Sequence, residues 1–555
     1  MKYKLDQSIQ ISIQVDISKY YHTVKHLKPI QLRYQLWYRI RHKMRQLLRF
    51  NDSLSIPSEA TPVKLVPWLA KSESYKAGKF TFLNISHSFP EEFDWNLAQY
   101  GKLWAYNLNY MDYLLQPNMD IATGIKLIER FIHNLPPNST GQEPYPIALR
   151  GINWIKFLSL HHPQLTDHSS LITINNSLYA QYHILLNNLE YHLLGNHLLE
   201  DAMSLLYGAY YFRDRKFFSK AKKILEKELE EQILEDGGHF ELSTMYHQIL
   251  LDRLLDCINL ISHNDVFQDQ DELSSLMQLK AQKMLQWLNA MTFSNGEVPL
   301  LNDAAPGIAP ATKEINNYAI RLKLLSEEEI RDICENFYNS CLSQSGYRRY
   351  NGENYECLVD IGPIGPSYQP GHAHADTSNF VLNVNNQPII VDTGISTYDA
   401  GKTRLKERGT SAHNTVTVQD KDSSKIWSSF RVAKRAEVKI IEDNNQRIIA
   451  QHDGYKSLGT THKREWQFDE NQILINDMLE GKITEGKAHI WLGRGLTPIQ
   501  NQQSIKIEGI FISFQNAESV RLIQTKIPDG YNRCADNYKI EIRFNKELNT
   551  IIATA

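Results

Sequence analysis

The spacing of apolar residues changes once along this chain, near residue 345, and that change restricts the folds open to it. Before it, apolar side chains recur at helical intervals. Leu32, Leu36, Ile40, Met44 and Leu48 fall four apart and draw one stripe along a helix. The run SLYAQYHILLNNLEYHLLGNHLLEDAMSLLYGAYYF reads as two helices broken near Gly195. Ile249, Leu250, Leu254, Ile258 and Ile261 mark another helix just after Tyr246, and further helical patterns lie near 274–292 and 313–340. After residue 345, alternation takes over: Phe380, Leu382 and Val384 precede a turn at Asn385–Gln387, and Tyr538, Ile540, Ile542 and Phe544 follow near the end. Helices and strands are segregated, which argues against a βαβ sheet or a TIM barrel. The expected class is α+β in two domains. Successive helix pairs suit an N-terminal α/α toroid, and short strands with polar turns suit a C-terminal antiparallel β-sandwich. A chain of 555 residues also exceeds one ordinary core. The expected divisions are an N-terminal extension over 1–94, a helical domain over 95–342 and a sandwich over 343–555.

Composition narrows the function classes. Apolar residues make up 42% and charged residues 22%, and the formal net charge is −3. That is a soluble globular composition with no electrostatic reason to expect nucleic acid as a partner. No run approaches the ~18 apolar residues of a membrane span. The opening MKYKLDQSIQISIQVD lacks the apolar stretch of a secretory signal, which points to the cytoplasm unless a signal is atypical or missing. Cys257, Cys334, Cys341, Cys357 and Cys534 show no CxxC spacing, so reduced thiols are expected, without a disulfide framework or a thiolate metal site. From Ile17 to Asn51 there are nine Lys or Arg and no acidic residue. Such a helix either rests on an anionic membrane surface, touches an acidic polymer or partner, or packs on the domain with a solvated basic face.

Several clusters could carry chemistry. GHAHAD holds His372 and His374, which point to one face if the segment is a strand. Asp392 ends a predicted strand in IIVDTG, and His413 in SAHNT starts the strand TVTV. Two imidazoles and a carboxylate form a zinc ligand set with a fourth position open. In GNHLLED, Asn196 and Glu200 share one helix face, as do His197 and Asp201. Alone, that cluster is equally a polar helix cap after Gly195. In DGGHFELSTMYHQIL, Gly237 and Gly238 turn the chain before Tyr246 and His247 open an apolar helix, where a tyrosine by itself reads as packing. EPYPIALRGINWIKF holds Arg150, Asn153 and Trp154, and Arg150 suits a forked contact to carboxylate or sulfate. Trp104, Tyr106 and Tyr110 in WAYNLNYMDYL either stack on sugar rings or pack a helix.

In this order, NH, MYH, GHAHAD, VD and AHNT, the clusters resemble the heparinase II/III-like family of polysaccharide lyases, related to oligoalginate lyases, over about residues 95–430. The resemblance implies an α/α toroid and a β-sandwich with a cleft between them. It implies a lyase that cleaves a uronic-acid-containing polysaccharide or oligosaccharide by β-elimination. It also implies a structural Zn2+ held by His374, Asp392 and His413, with His372 and Tyr246 catalytic and Asn196 and His197 handling the substrate carboxylate. Tyr398, in STYDAG, falls where some members place a further cleft tyrosine. Arg404 and Arg408 are expected near substrate, together with Arg150, Trp104 and Glu200. The family's best-known members are usually exported, which favours the periplasm. The missing signal and the basic extension instead suit a protein acting where a bacterium builds or trims its own surface polysaccharide. Two other readings use the same residues. One is a zinc hydrolase or deacetylase of a glycan with Asp376 as base, and the other is a non-catalytic glycan-binding or assembly protein.

Overall fold

The computed structural model describes residues 17–90, 92–336 and 341–554. The expectation placed on the opening segment MKYKLDQSIQISIQVD falls outside them. Two N-terminal helices, α1 (Ile17–Val24) and α2 (Pro29–Leu47), precede the helical domain. That domain comprises α3 (Lys102–Tyr110), α4 (Ile121–Asn134), α5 (Pro144–His161), α6 (His168–Asn187), α7 (Gly195–Phe212), α8 (Arg215–Gln232), α9 (Thr244–His263), α10 (Gln270–Met291), α11 (Thr312–Arg321) and α12 (Glu327–Asn336).

Burial separates these helices into two layers. α5, α7 and α9 are buried on nearly every face, so they line the inside. α4 and α8 bury one stripe and turn charged residues outward, as an outer layer requires. Inner and outer helices alternate along the chain, which is the arrangement of an α/α toroid. Side-chain caps start several of them: Asp120, Asp167, Asp214 and Ser243 accept amide hydrogens in the first turns of α4, α6, α8 and α9, each contributing about 1 kcal/mol.

The helical core begins at Val63 and takes in Phe80, Phe82, Phe89 and Phe93. The hairpin Lys79–Phe82/Ile85–Ser88 therefore belongs to this domain, and the division expected at residue 94 falls inside one core. The pattern expected over 313–340 is two helices, α11 and α12.

After residue 341 the chain is antiparallel β. A five-stranded sheet and a ten-stranded sheet, both among the described residues, share one core. Cys357, Val359, Phe380 and Leu382 enter it from the smaller sheet, and Trp466, Ile475, Ile540 and Ile542 from the larger. Tyr350 stacks on Phe468 across the layers, centroids 3.8 Å apart. The turn expected at Asn385–Gln387 joins Asn379–Val384 to Gln387–Ile390, with Asn385 and Asn386 both at positive φ, the geometry that matches strand twist. Cys257, Cys357 and Cys534 are free, while the side chains of Cys334 and Cys341 lie outside those described.

Candidate active site

Three chain reversals aim polar side chains into one place between the two domains. Leu194 and Gly195 both take positive φ just before Asn196, Leu242 does so before α9, and Asn302 does so before Asp303. Non-glycine residues in that region are strained and persist where the surroundings demand them, often at functional sites. A Cβ on Gly195 would stand 3.0 Å from Glu241 Oε1, so the start of α7 is fitted closely to that carboxylate.

Asn196, on the first turn of α7, donates from Nδ2 to Glu241 Oε2 at 3.2 Å. Beside it, His197 Nδ1 meets Glu190 Oε2 at 2.9 Å. Enclosure opposes a charge on His197, but the Glu190 carboxylate outweighs it and raises the ring above its ordinary value. Tyr246, third residue of α9, lies against His372, ring centroids 4.0 Å apart, and its hydroxyl is 2.9 Å from that of Tyr398. Burial first, and Tyr531 second, push the Tyr246 phenol well above its ordinary value, so it is neutral and carries a proton.

GHAHAD is a loop, not the strand expected, yet its two histidines turn to one side because one carboxylate holds both. Asp303 Oδ2 accepts from His372 Nδ1 at 2.8 Å and Oδ1 accepts from His374 Nε2 at 2.9 Å. Arg404 grips the same carboxylate with both terminal nitrogens. Burial alone would raise the Asp303 carboxyl; Arg404 and the two histidines hold it well below the usual range. An ionised Asp303 can only accept hydrogen bonds, which fixes a proton of His372 on Nδ1, so in the neutral ring it is Nε2 that presents the lone pair. Nε2 stands 3.9 Å from Glu241, whose carboxyl burial raises above the ordinary range. No pattern in the sequence singles out Asp303 or Glu241. Asp303 sits in VPLLNDAAPGIAP, which has no helical or strand period, and its partners are 69 to 101 residues away.

Asn196, His197, Tyr246, His372 and Tyr398 thus gather at one site. Other expected substrate contacts do not reach it. Trp104 is fully buried and donates to the Ile85 carbonyl. Arg150 is fully buried and committed to Gln181 and the carbonyls of Asn109, Gly141 and Pro146; burial lowers it to about 9, still protonated near neutrality. Glu200 is buried 3.3 Å from Arg253. Arg408 is buried against the carbonyls of Ala373 and Ser429. Arg404 acts on Asp303. All five are buried and bonded within the protein, and for Trp104, Arg150 and Glu200 the helical period alone does not separate an inward-facing side chain from a cleft-facing one.

Of the expected metal ligands, His413 Nδ1 bonds Asp392 Oδ2 at 2.8 Å and its ring centroid lies 5.2 Å from that of His374. Among the described residues no group of three or more His, Cys, Asp or Glu is arranged as a metal cluster. The donor chemistry nevertheless fits a zinc: His374 Nδ1, His413 Nε2 and Asp376 Oδ2 are buried without hydrogen-bond partners. Burial takes His374 down to about 3, the neutral form a ligand needs; burial also opposes a charge on His413, but the Asp392 carboxylate outweighs it and raises that ring to about 9, so His413 would give up a proton on binding a metal.

This fold and this gathering of Asn, Tyr and His between a toroid and a sandwich define a class. Residues 151–329 match the model of the heparinase II/III N-terminus and residues 340–550 that of the heparinase II/III-like C-terminal domain. The chain belongs to the heparinase II/III-like family. It is 22% identical over 325 residues to a heparin-sulfate lyase of Bacteroides stercoris, covering 54% of this chain and 46% of that one. It is 22% identical over 382 residues to a heparin-sulfate lyase of Pedobacter heparinus, covering 64% and 54%. The chain thus spans about half the length of these curated relatives. Among solved structures, a heparinase III aligns at TM-score 0.66 and 17% identity, covering 81% of this chain and 76% of the other. A heparan sulfate lyase from Pedobacter heparinus aligns at TM-score 0.56 and 16% identity, covering 86% and 81%.

Proposed function

We propose that this protein is a polysaccharide lyase that cleaves a uronic-acid-containing glycan by β-elimination. The observation that carries the reading is the pairing of a neutral Tyr246 with a His372 whose Nδ1 is held by Asp303, centroids 4.0 Å apart. The names of the relatives put heparan-type polymers first among candidate substrates.

The proton next to a uronate carboxylate is too weakly acidic for an unaided base, so negative charge building on the carboxylate must be met by donors. Asn196 Nδ2 exchanges Glu241 for the substrate carboxylate, and the raised His197 supplies positive charge beside it. His372 Nε2 takes the proton; the C–H pair becomes the new carbon–carbon double bond, and the C–O pair departs with the leaving sugar oxygen. That oxygen receives the proton of the Tyr246 hydroxyl. Transfer through solvent from His372 to Tyr246 restores both groups. Tyr398, bonded to Tyr246, holds the phenol in place and is a positioning residue.

A zinc, if bound, would be held by His374 and His413 with a carboxylate, either the expected Asp392, whose oxygens accept from His413, Asn379 and the Gly394 amide, or Asp376, whose Oδ2 has no partner, and would stiffen the loop that carries His372. Elemental analysis of the purified protein and melting with and without a chelator test this. Zinc in the protein and a lower Tm after chelation agree with it; no zinc and an unchanged Tm refute it.

The activity is tested by incubating the pure protein with heparan sulfate, chondroitin and alginate and following the ultraviolet absorbance of an unsaturated uronate. Tyr246→Phe keeps the ring and should abolish turnover with folding intact. Near-normal turnover in that variant would remove Tyr246 from the mechanism. Binding without turnover across the panel would favour a glycan-binding role instead.

A further inference from the structure

α2 meets the rest of the molecule with its polar side. Gln31, Tyr34, Tyr38, Arg41 and Arg45 recur at three- and four-residue intervals, the spacing of one helix face. Gln31 Nε2 donates to the Leu193 carbonyl at 3.1 Å, and Tyr34 stacks on Tyr191 with centroids 4.7 Å apart. Tyr38 donates to the Leu189 carbonyl, and Arg41 to the Asn187 carbonyl and the Asn188 side chain. Lys28, just before the helix, pairs with Glu231.

The opposite side is apolar and faces water. Leu32, Leu36, Ile40, Met44 and Leu47 are 44%, 61%, 44%, 52% and 85% exposed, and Trp37 between them is 50% exposed. A surface helix ordinarily turns this stripe inward; here the helix is anchored by hydrogen bonds and aromatic stacking with the stripe outward. Arg33, Arg39 and Lys43 are exposed among these residues. Residues 17–51 carry nine Lys or Arg and no acid, although the whole chain is net −3.

We propose that α2 docks this protein on an anionic phospholipid bilayer, lying flat with its apolar ridge at the boundary of headgroups and acyl chains and its cations on the phosphate layer. Its 19 residues at ~1.5 Å each make a ridge roughly 28 Å long, and among the described residues no helix is long and apolar enough to cross a membrane. An aromatic ring and long basic side chains beside an apolar ridge suit an interface that is apolar below and anionic above. A second copy is disfavoured, because ridge against ridge would set Arg33, Arg39 and Lys43 against the same cations. A soluble acidic polymer would satisfy the cations and leave Leu36, Ile40 and Leu47 in water. This inference does not depend on the lyase reading.

The test is flotation of the full chain with vesicles of phosphatidylcholine alone or mixed with phosphatidylglycerol. The protein should float with the mixed vesicles, less so at high salt, and stay behind with phosphatidylcholine. Leu36 and Ile40 are exposed, so L36D/I40D should keep the wild-type Tm while partition falls on the order of tenfold or more. Failure to float with mixed vesicles, or equal flotation of L36D/I40D, overturns the proposal. So does a concentration-dependent dimer, abolished by L36D/I40D, in a protein that ignores vesicles. Retention by heparin that is lost in R33E/R39E/K43E, in a protein that ignores vesicles, would assign the face to an acidic polymer and also overturn it.

Discussion

Replacing Asp303 with Asn tests whether one carboxylate organises the site. The side chain keeps its shape but loses its charge, and one oxygen becomes an NH2 donor. In the wild type each oxygen accepts from one histidine and one Arg404 nitrogen, so all four contacts are donor to acceptor. In Asp303→Asn the NH2 faces two donors whichever way it turns, and Arg404, with no exposed surface, loses its counter-charge. Breaking a buried pair by neutralising one partner costs about 3–5 kcal/mol. His372 also loses the acceptor that keeps its proton on Nδ1, so kcat should fall on the order of a hundredfold or more. Urea unfolding gives the first quantity and the ultraviolet assay the second. A variant within about 1 kcal/mol of wild type with unchanged kcat would refute the organising role of Asp303.

Arg150→Met should destabilise the protein by about 2–4 kcal/mol, since it strands buried carbonyls and Gln181; the KM of the folded variant should match wild type, whereas a raised KM would return Arg150 to the substrate. Gly195→Ala forces a Cβ into positive φ and against Glu241, so it should lower stability by about 1 kcal/mol and reduce kcat/KM by displacing Asn196; unchanged values would show that the start of α7 is not tightly set. Burial would raise Asp477, but Arg464 and His462 hold it at about 2. Its unfolded value is near 3.9, so it contributes stability above about pH 4 that is lost as pH falls toward 2, roughly 2–3 kcal/mol in all. Asp477→Asn should flatten that acid limb of Tm against pH, and an unchanged limb would contradict the assignment.

The two-domain plan was legible because helix and strand impose different apolar periods, and the break near Gly195 was legible because Gly195 adopts positive φ there. His372 and His374 were correctly placed on one side for a reason the sequence could not display: they converge on Asp303 from a loop, not from a strand. Periodicity reports which side of a helix is apolar and not what that side faces. The stripe from Leu32 to Leu48 was visible, but its outward orientation depends on hydrogen bonds to Leu189 and Leu193, far along the chain. Trp104 and Arg150 failed as substrate contacts for the same reason, since both lie on faces turned into the toroid.

Whether the glycan breaks by elimination is tested most directly by product analysis after cleavage in heavy-oxygen water. Elimination takes no oxygen from solvent: the new nonreducing end should carry an unsaturated uronate, and the new reducing end, analysed before its anomeric hydroxyl exchanges with water, no heavy oxygen. A saturated end, with one solvent oxygen incorporated across the broken linkage, would mean hydrolysis and would contradict the roles given to His372 and Tyr246.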